Sequence, residues 1–215
     1  MEHIRIITLT VNKIPRIIVF SFRESFILDL LKNSTIFPTV HHDRGCPTCI
    51  RSINKNNSVK DREFFLKKLL GVVRDDYDFI FVDCPPSLSL LTLNAMAAAD
   101  SVLVPIQCEY YALEGVTALM NTINRVKHTF NPHLEIEGIL LTMLDGRTNL
   151  GLQVVDQVKK HFRKQVFATM IPRNVRLGEA PSHGEPICLY DPRSTGAMAY
   201  EALAKEVLAR NKKKK

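Results

Sequence analysis

The chain has 215 residues, 46% hydrophobic and 24% charged, a length and mixture that can bury one substantial core and that predict a single domain. No stretch approaches the roughly 20 apolar residues of a membrane-spanning helix, and no basic-then-apolar leader with a small-residue cleavage site is seen, so no membrane role is expected and a cytoplasmic location is. The net charge of +7 is uneven: residues 1–57 carry 8 Lys/Arg against 4 Asp/Glu, while residues 58–215 carry 21 against 18, with four of those cations at 212–215.

Along the first third, residues 4–11 (IRIITLTV) and 16–22 predict strands and 26–32 a short helix, before Asn33, Ser34 and Pro38 interrupt. Residues 35–57 read as loop. Cys46 and Cys49 form one C-P-T-C, preceded by His41 and His42. These are zinc-type ligands; without a second pair, a zinc site and a loop with incidental cysteines both remain open. Five cysteines in a chain expected to be cytosolic argue against a disulfide framework.

Beyond residue 58 the pattern becomes regular. A helix is predicted from Asp61, with Phe65, Leu69 and Val73 on one face, then a strand at 79–83, a helix at 91–99 and a strand at 101–106. There follow a helix at 113–130, a strand at 138–143, a helix at 150–162, a short strand VFATMI at 166–171 and a last helix at 196–210. Apolar strands alternating with amphipathic helices predict an α/β fold, a mostly parallel sheet flanked by helices. Open sheets of this kind bind ligands beyond the carboxyl ends of their strands. Asp83, the Gln107-Cys108-Glu109 turn, Asp145 and the Pro172-Arg173-Asn174 turn all fall at such ends.

The run FIFVDCPP at 79–86 is the most informative of these. A buried strand that delivers a carboxylate at its end can hold the Mg²⁺ of a bound nucleotide, and Pro85 and Pro86, having no N–H to donate, end the strand there. The phosphate loop that such a site needs, G-x-x-x-x-G-K-[ST], does not occur. Of nine glycines only Gly45 precedes Gly71. Lys159, Lys160, Arg163 and Lys164 make a local basic patch, and the lysines at 212–215 read as a solubilising tail.

Three long strings occur in order: DYDFIFVDCPPSLSLLTLNAMAAADSVLVPIQCEYYALEG from Asp76, GILLTMLDGRTNLG from Gly138 and IPRNVRLGEAPSHGEPICLYDPRSTGAMAY from Ile171. Together they closely resemble the ParA/Soj family of chromosome- and plasmid-partitioning ATPases, relatives of MinD. The resemblance covers about residues 58–210, leaving 1–57 as an atypical N-terminal segment and 211–215 as a basic tail. It implies a P-loop NTPase-like fold of the deviant-Walker type, ATP and Mg²⁺ as cofactors, and association with the nucleoid. By the same resemblance Asp83 orients the metal through water, Pro172 and Asn174 bind the base, Thr142 and Met143 line that pocket, and Arg147 and Arg176 contact DNA without reading sequence. Implied partners are a ParB-like protein, non-specific DNA and a second copy of the chain in an ATP-driven homodimer.

The chain departs from the family at its start. Family members open with a strand, then K-G-G-x-G-K-T-T leading into a helix, then D-x-D-P-Q. Here MEHIRIITLTVNK stands where the first strand would, IPRIIVFSFRES follows, neither lysine of the motif has a credible equivalent, Lys13 being at best a relic of the first, and D-x-D-P-Q is missing. Two readings result. One is a partitioning protein by descent, impaired in ATP binding. The other is a non-enzymatic remnant, either a pseudo-ATPase keeping DNA or partner surfaces or the product of a gene whose first third is read out of frame.

Overall fold

The structure, a computed structural model, describes residues 5–9, 16–21, 61–84, 89–110 and 112–212, the first two stretches as backbone. The helix expected at 26–32, Lys13, the C-P-T-C with its two histidines, Pro85, Pro86 and the last three lysines lie outside the described residues. Five strands, β1 (Arg5–Leu9), β2 (Arg16–Ser21), β3 (Phe79–Cys84), β4 (Ser101–Gln107) and β5 (Glu135–Thr142), form a sheet in the order β1-β3-β2-β4-β5. The chain divides into two compact units: residues 1–23, 35–103 and 120–137 make the first, and residues 24–34, 104–119 and 138–215 the second.

In the first unit β3 is the buried strand. Ile80 and Val82 are wholly buried, Phe81 is nearly so, and Phe79 stacks on Phe81 with ring centroids 5.9 Å apart. An unbroken apolar run is what a strand covered on both faces requires. β2 lies parallel to both of its neighbours, with Phe20 opposite Asp83 of β3 on one side and opposite Leu103 of β4 on the other. β1 runs antiparallel to β3 on its outer side, Arg5 opposite Asp83 and Leu9 opposite Phe79.

That register corrects the expectation that IRIITLTV is the first strand of a parallel set. The chain leaves β1 at the end of β3 remote from Asp83, so the strand whose carboxyl end is level with Asp83 is β2, after Lys13 rather than before it. Both segments are aliphatic and β-branched, and composition alone does not tell an edge strand from a central one.

Helix α1 (Phe65–Val73) follows a 3-10 turn over Arg62–Phe64 and packs on α2 (Leu90–Ala98). Its buried positions are Leu66 and Leu70, whereas Leu69 is 41% exposed and Phe65 and Val73 are only half-buried. The face expected from Phe65, Leu69 and Val73 is therefore rotated by one residue. The apolar stripe is wide enough to offer both choices, and a contact from α2 selects between them: wholly buried Asn94 accepts the Leu66 N–H at 3.1 Å and donates to the carbonyls of Arg62 and Leu90. Asn131 likewise donates to the Met96 and Ala99 carbonyls, closing the C-terminal end of α2.

Helix α3 (Ala112–Thr129) passes from the second unit into the first. The second unit then holds α4 (Asn149–Phe162), α5 (Val175–Glu179), α6 (Ile187–Tyr190) and α7 (Thr195–Lys212), with 3-10 turns at Arg163–Gln165 and Ala180–His183. Thr148 starts α4 by accepting the Gly151 N–H on its hydroxyl at 3.3 Å.

The strand expected at 166–171 is not a regular strand. Residues there meet β5 only at a bridge between Ile139 and Val166, and Leu144 beyond β5 bridges to Pro172. The Phe167 and Ile171 N–H groups do donate to β5 carbonyls, at 2.9 Å each. Between them, the N–H groups of Ala168 and Thr169 turn away to the Glu206 carboxylate of α7, again at 2.9 Å each. One acid side chain thus replaces the middle of a ladder.

Candidate functional site

Asp83 belongs to the first unit. It is half-buried at the end of β3, between buried Val82 and Cys84. Burial, and after it the neighbouring Asp83 charge, pushes the Cys84 thiol far above its ordinary value, so the thiol is not ionised at neutral pH. A carboxylate at the end of a strand whose neighbour β2 ends beside it is a fit donor for a hydrated Mg²⁺, a hard cation that takes oxygen ligands and keeps several waters. Among the described residues no cluster of three or more His, Cys, Asp or Glu side chains forms a metal cage.

The remaining candidates belong to the second unit, where the chain brings the predicted turns together. The Cys108 N–H donates to the Thr142 carbonyl at 2.9 Å, tying the turn after β4 to the end of β5. Thr142 is buried, and its hydroxyl donates to the Ile106 carbonyl at 3.3 Å. Its side chain stitches the sheet. Met143, half-buried, takes a left-handed φ of 53°, a conformation that costs a side-chain-bearing residue energy and that tends to occur at functional turns. This turn sends Leu144 alongside Pro172, with the Leu144 N–H donating to Ile171 and the Arg173 N–H to Leu144.

Asn174 starts α5. Its Oδ1 accepts the Arg176 N–H at 2.8 Å, and its Nδ2 donates to the Thr195 hydroxyl at 2.7 Å. A primary amide has two acceptor sites and two donor hydrogens, so one of each remains for a ligand. Thr195, which fixes the amide's orientation, was not legible as a site residue from the sequence; only its Nδ2 contact from 21 residues away reveals it.

Neither Arg147 nor Arg176, the two arginines expected to contact DNA, is a free cation. Arg147, exposed, grips Asp145 in a fork, Nε to Oδ1 at 2.9 Å and Nη2 to Oδ2 at 2.8 Å, and its N–H adds a third bond at 3.1 Å. That hydrogen-bonded guanidinium holds the Asp145 carboxyl well below the usual carboxylate range. Arg176 pairs with Glu179 at 2.9 Å and lies 3.5 Å from Asp191; the Glu179 hydrogen bond and charge, with Tyr190 after them, raise its pKa. A further pair, Arg173 with Glu109 at 3.2 Å, joins the two predicted turns.

Residues 46–136 match a family described as an AAA domain. The chain is 63% identical over 148 residues to the sporulation initiation inhibitor protein Soj of Bacillus subtilis, a match covering 69% of this chain and 58% of that protein. It is 54% identical over 162 residues to the chromosome partitioning protein ParA of Myxococcus xanthus, covering 75% of this chain and 56% of the relative. The chain thus spans a little over half the length of these curated relatives. Among solved structures it resembles cobyrinic acid a,c-diamide synthase from Mycobacterium smegmatis with bound ADP and magnesium, with a TM-score of 0.64 and 26% identity over 94% of this chain and 84% of that one.

Proposed function

Because the chain belongs to the ParA/Soj family, we propose that it serves DNA segregation through a ParA-type scaffold whose nucleotide site lacks its phosphate cradle. One observation carries the reading: 63% identity to Soj over 148 residues coexists with a stretch, residues 1–44, that contains no glycine. Asp83 would hold hydrated Mg²⁺ and Pro172 with Asn174 would hold the adenine base. The group they hold supplies a triphosphate for hydrolysis when bound. The partners in this reading are duplex DNA, met without sequence preference, and a ParB-like protein, which places the chain on the nucleoid.

The missing loop sets the affinity. Each charge-assisted hydrogen bond to a phosphate contributes about 1.5–3 kcal/mol, so three of them amount to at least about 4.5 kcal/mol, more than a thousandfold in affinity. At that loss millimolar ATP barely occupies the site. The test is sedimentation with and without Mg-ATP beside a phosphate-release assay. The expected result is no ATP-dependent dimer and no release above blank, in the chain and in Asp83→Ala alike. A nucleotide-induced dimer, or release abolished by Asp83→Ala, overturns the loss of the cradle.

A further inference from the structure

The second unit contains another cationic surface, and its charges are accounted for differently. Lys159 and Lys160 lie in the last turn of α4, and Arg163 and Lys164 lie in the 3-10 turn that follows; all four are exposed. Among the described residues none of the four takes part in an ion pair, in contrast to Arg147, Arg173, Arg176 and Arg210, each of which is bound to a carboxylate. The end of α7 meets this surface. Arg210 donates to the Val166 carbonyl at 2.8 Å, and its guanidinium lies 4.0 Å over the Phe167 ring, immediately after the turn that carries Arg163 and Lys164.

The bland account is the helix dipole, which favours cations at a helix C-terminus. It covers the charges nearest the helix end and says nothing of backbone conformation. It also gives no reason for Arg163, which closes α4 with φ 41° and ψ −110°. Glycine is the residue that reaches positive φ without steric cost, and a ψ of −110° is not that of the left-handed cap in which helices commonly end. An arginine held where glycine is cheaper is the kind of backbone outlier from which a function is inferred.

We propose that Lys159, Lys160, Arg163 and Lys164 form a docking surface for the phosphate backbone of duplex DNA, separate from Arg147 and Arg176. Lysine side chains with no carboxylate to release suit a backbone of regularly spaced phosphates, since contact there positions a protein without reading sequence. The patch exposes one ring, that of His161, whose Nδ1 meets the Gln157 carbonyl at 2.8 Å and which lies against half-buried Phe162; a single tethered imidazole is not the row of rings on which successive unpaired bases stack, and among the described residues of the patch no apolar side chain is exposed to enter a bilayer. The duplex is the occupant that this chemistry favours. The inference deepens the DNA-binding part of the proposed function, and the experiment separates the two.

The measurement is binding of the full chain to a fluorescent duplex of arbitrary sequence across 50–200 mM salt. Neutralising four phosphates changes the log–log salt slope by about 3.6, so the quadruple variant Lys159→Gln, Lys160→Gln, Arg163→Gln, Lys164→Gln should flatten the slope by about that amount, with its thermal midpoint confirming the fold. Arg147→Gln with Arg176→Gln should change it by less than about 2 on the same scale. A quadruple variant that keeps the full slope while the arginine pair removes it overturns this inference and leaves the proposed function standing. No duplex binding by the unsubstituted chain at 50 mM salt overturns both. Tighter binding to single-stranded DNA or to phosphatidylglycerol vesicles, lost in the quadruple variant, overturns the choice of duplex. Arg163→Gly gives a sharper reading, because it should raise the thermal midpoint while lowering the slope by about 0.9; a raised midpoint with an unchanged slope removes Arg163 from the surface.

Discussion

Replacing Glu206 should loosen the segment that carries Pro172 and Asn174. The Glu206 carboxylate accepts the N–H groups of Ala168 and Thr169, 38 and 37 residues away, and also the Arg210 guanidinium at 2.8 Å. A hydrogen bond to a charged group contributes about 1.5–3 kcal/mol. Ala168 is exposed and Thr169 half-buried, so water partly replaces the lost partner, and about 1 kcal/mol per N–H is the fitting value. Glu206→Ala should then cost about 2 kcal/mol, a drop of about 4–8 °C in thermal midpoint for a chain of this size. Partial burial alone would raise the Glu206 pKa; the two N–H groups and Arg210 outweigh it and hold it below its ordinary value. A depressed carboxylate pKa contributes stability that is full above the unfolded value of about 4.3 and is lost as pH falls through the lower folded value. The gap in midpoint between the natural chain and Glu206→Gln should therefore be constant from pH 5 to 8 and close below about pH 4. Circular dichroism melts across that range decide it. A Glu206→Ala midpoint within 1 °C of the natural chain, or a gap that widens on acidification, would refute the reasoning.

Three further outcomes are expected. Asn94→Ala leaves the Leu66 N–H without its acceptor in a buried place, and urea unfolding should show a loss of about 2–4 kcal/mol. Gly196→Ala puts a Cβ 2.6 Å from Leu177 Cγ and 2.9 Å from both Leu177 methyls; overpacking of this kind costs about 1–3 kcal/mol, and the denaturation midpoint should fall accordingly. Burial pushes the Cys108 thiol up to about 11, so at pH 8 it should carry roughly two-hundredfold less thiolate than a free cysteine. Site-mapped alkylation should find it almost unmodified until denaturant is added, and rapid native labelling there would contradict its burial.

The sheet's core was legible because β3 and β4 are covered on both faces and so read as unbroken apolar runs bounded by turn residues. The same feature hid the role of the N-terminal strands, since IRIITLTV and RIIVFS are equally apolar while one runs antiparallel at the edge and the other parallel beside β3. Helix periodicity located α1 and pointed to the face of Phe65, Leu69 and Val73, one residue away from the buried Leu66 and Leu70, where an amide from α2, 28 residues away, holds the Leu66 N–H. Of the turns expected at strand ends, those of the second unit are joined by the Arg173–Glu109 pair and the Leu144–Pro172 bridge, while Asp83 belongs to the first unit. The pairing of Arg147 with Asp145 depends on a turn conformation that the string D-G-R does not dictate. Glu206 and Arg210 look in sequence like an ordinary i,i+4 surface pair, and only the packing of α7 shows that they hold a segment 40 residues earlier.

Asn174 allows the structural and ligand-binding roles of one residue to be separated. Its Oδ1 starts α5 and its Nδ2 meets the Thr195 hydroxyl, so Asn174→Ala removes a helix cap and should cost about 1 kcal/mol by itself. Asn174→Asp does not. Aspartate is as good a cap as asparagine, and a hydroxyl can donate as readily as accept, so Thr195 reverses its hydrogen bond and the thermal midpoint should stay within about 2 °C, the shift of half a kcal/mol in a chain of this size. What aspartate lacks is the amide hydrogen. Adenine presents a donor beside an acceptor, a pattern matched by an amide and opposed by a carboxylate. If Asn174 holds the base, ligand-observed NMR with millimolar adenosine, which has no phosphate and so bypasses the missing cradle, should show contact with the natural chain and none with Asn174→Asp. Guanosine, with the opposite edge pattern, should show the weaker signal on the natural chain. Adenosine contact that survives Asn174→Asp at full strength would assign Asn174 to the fold alone and move the base-binding role to other residues of the second unit.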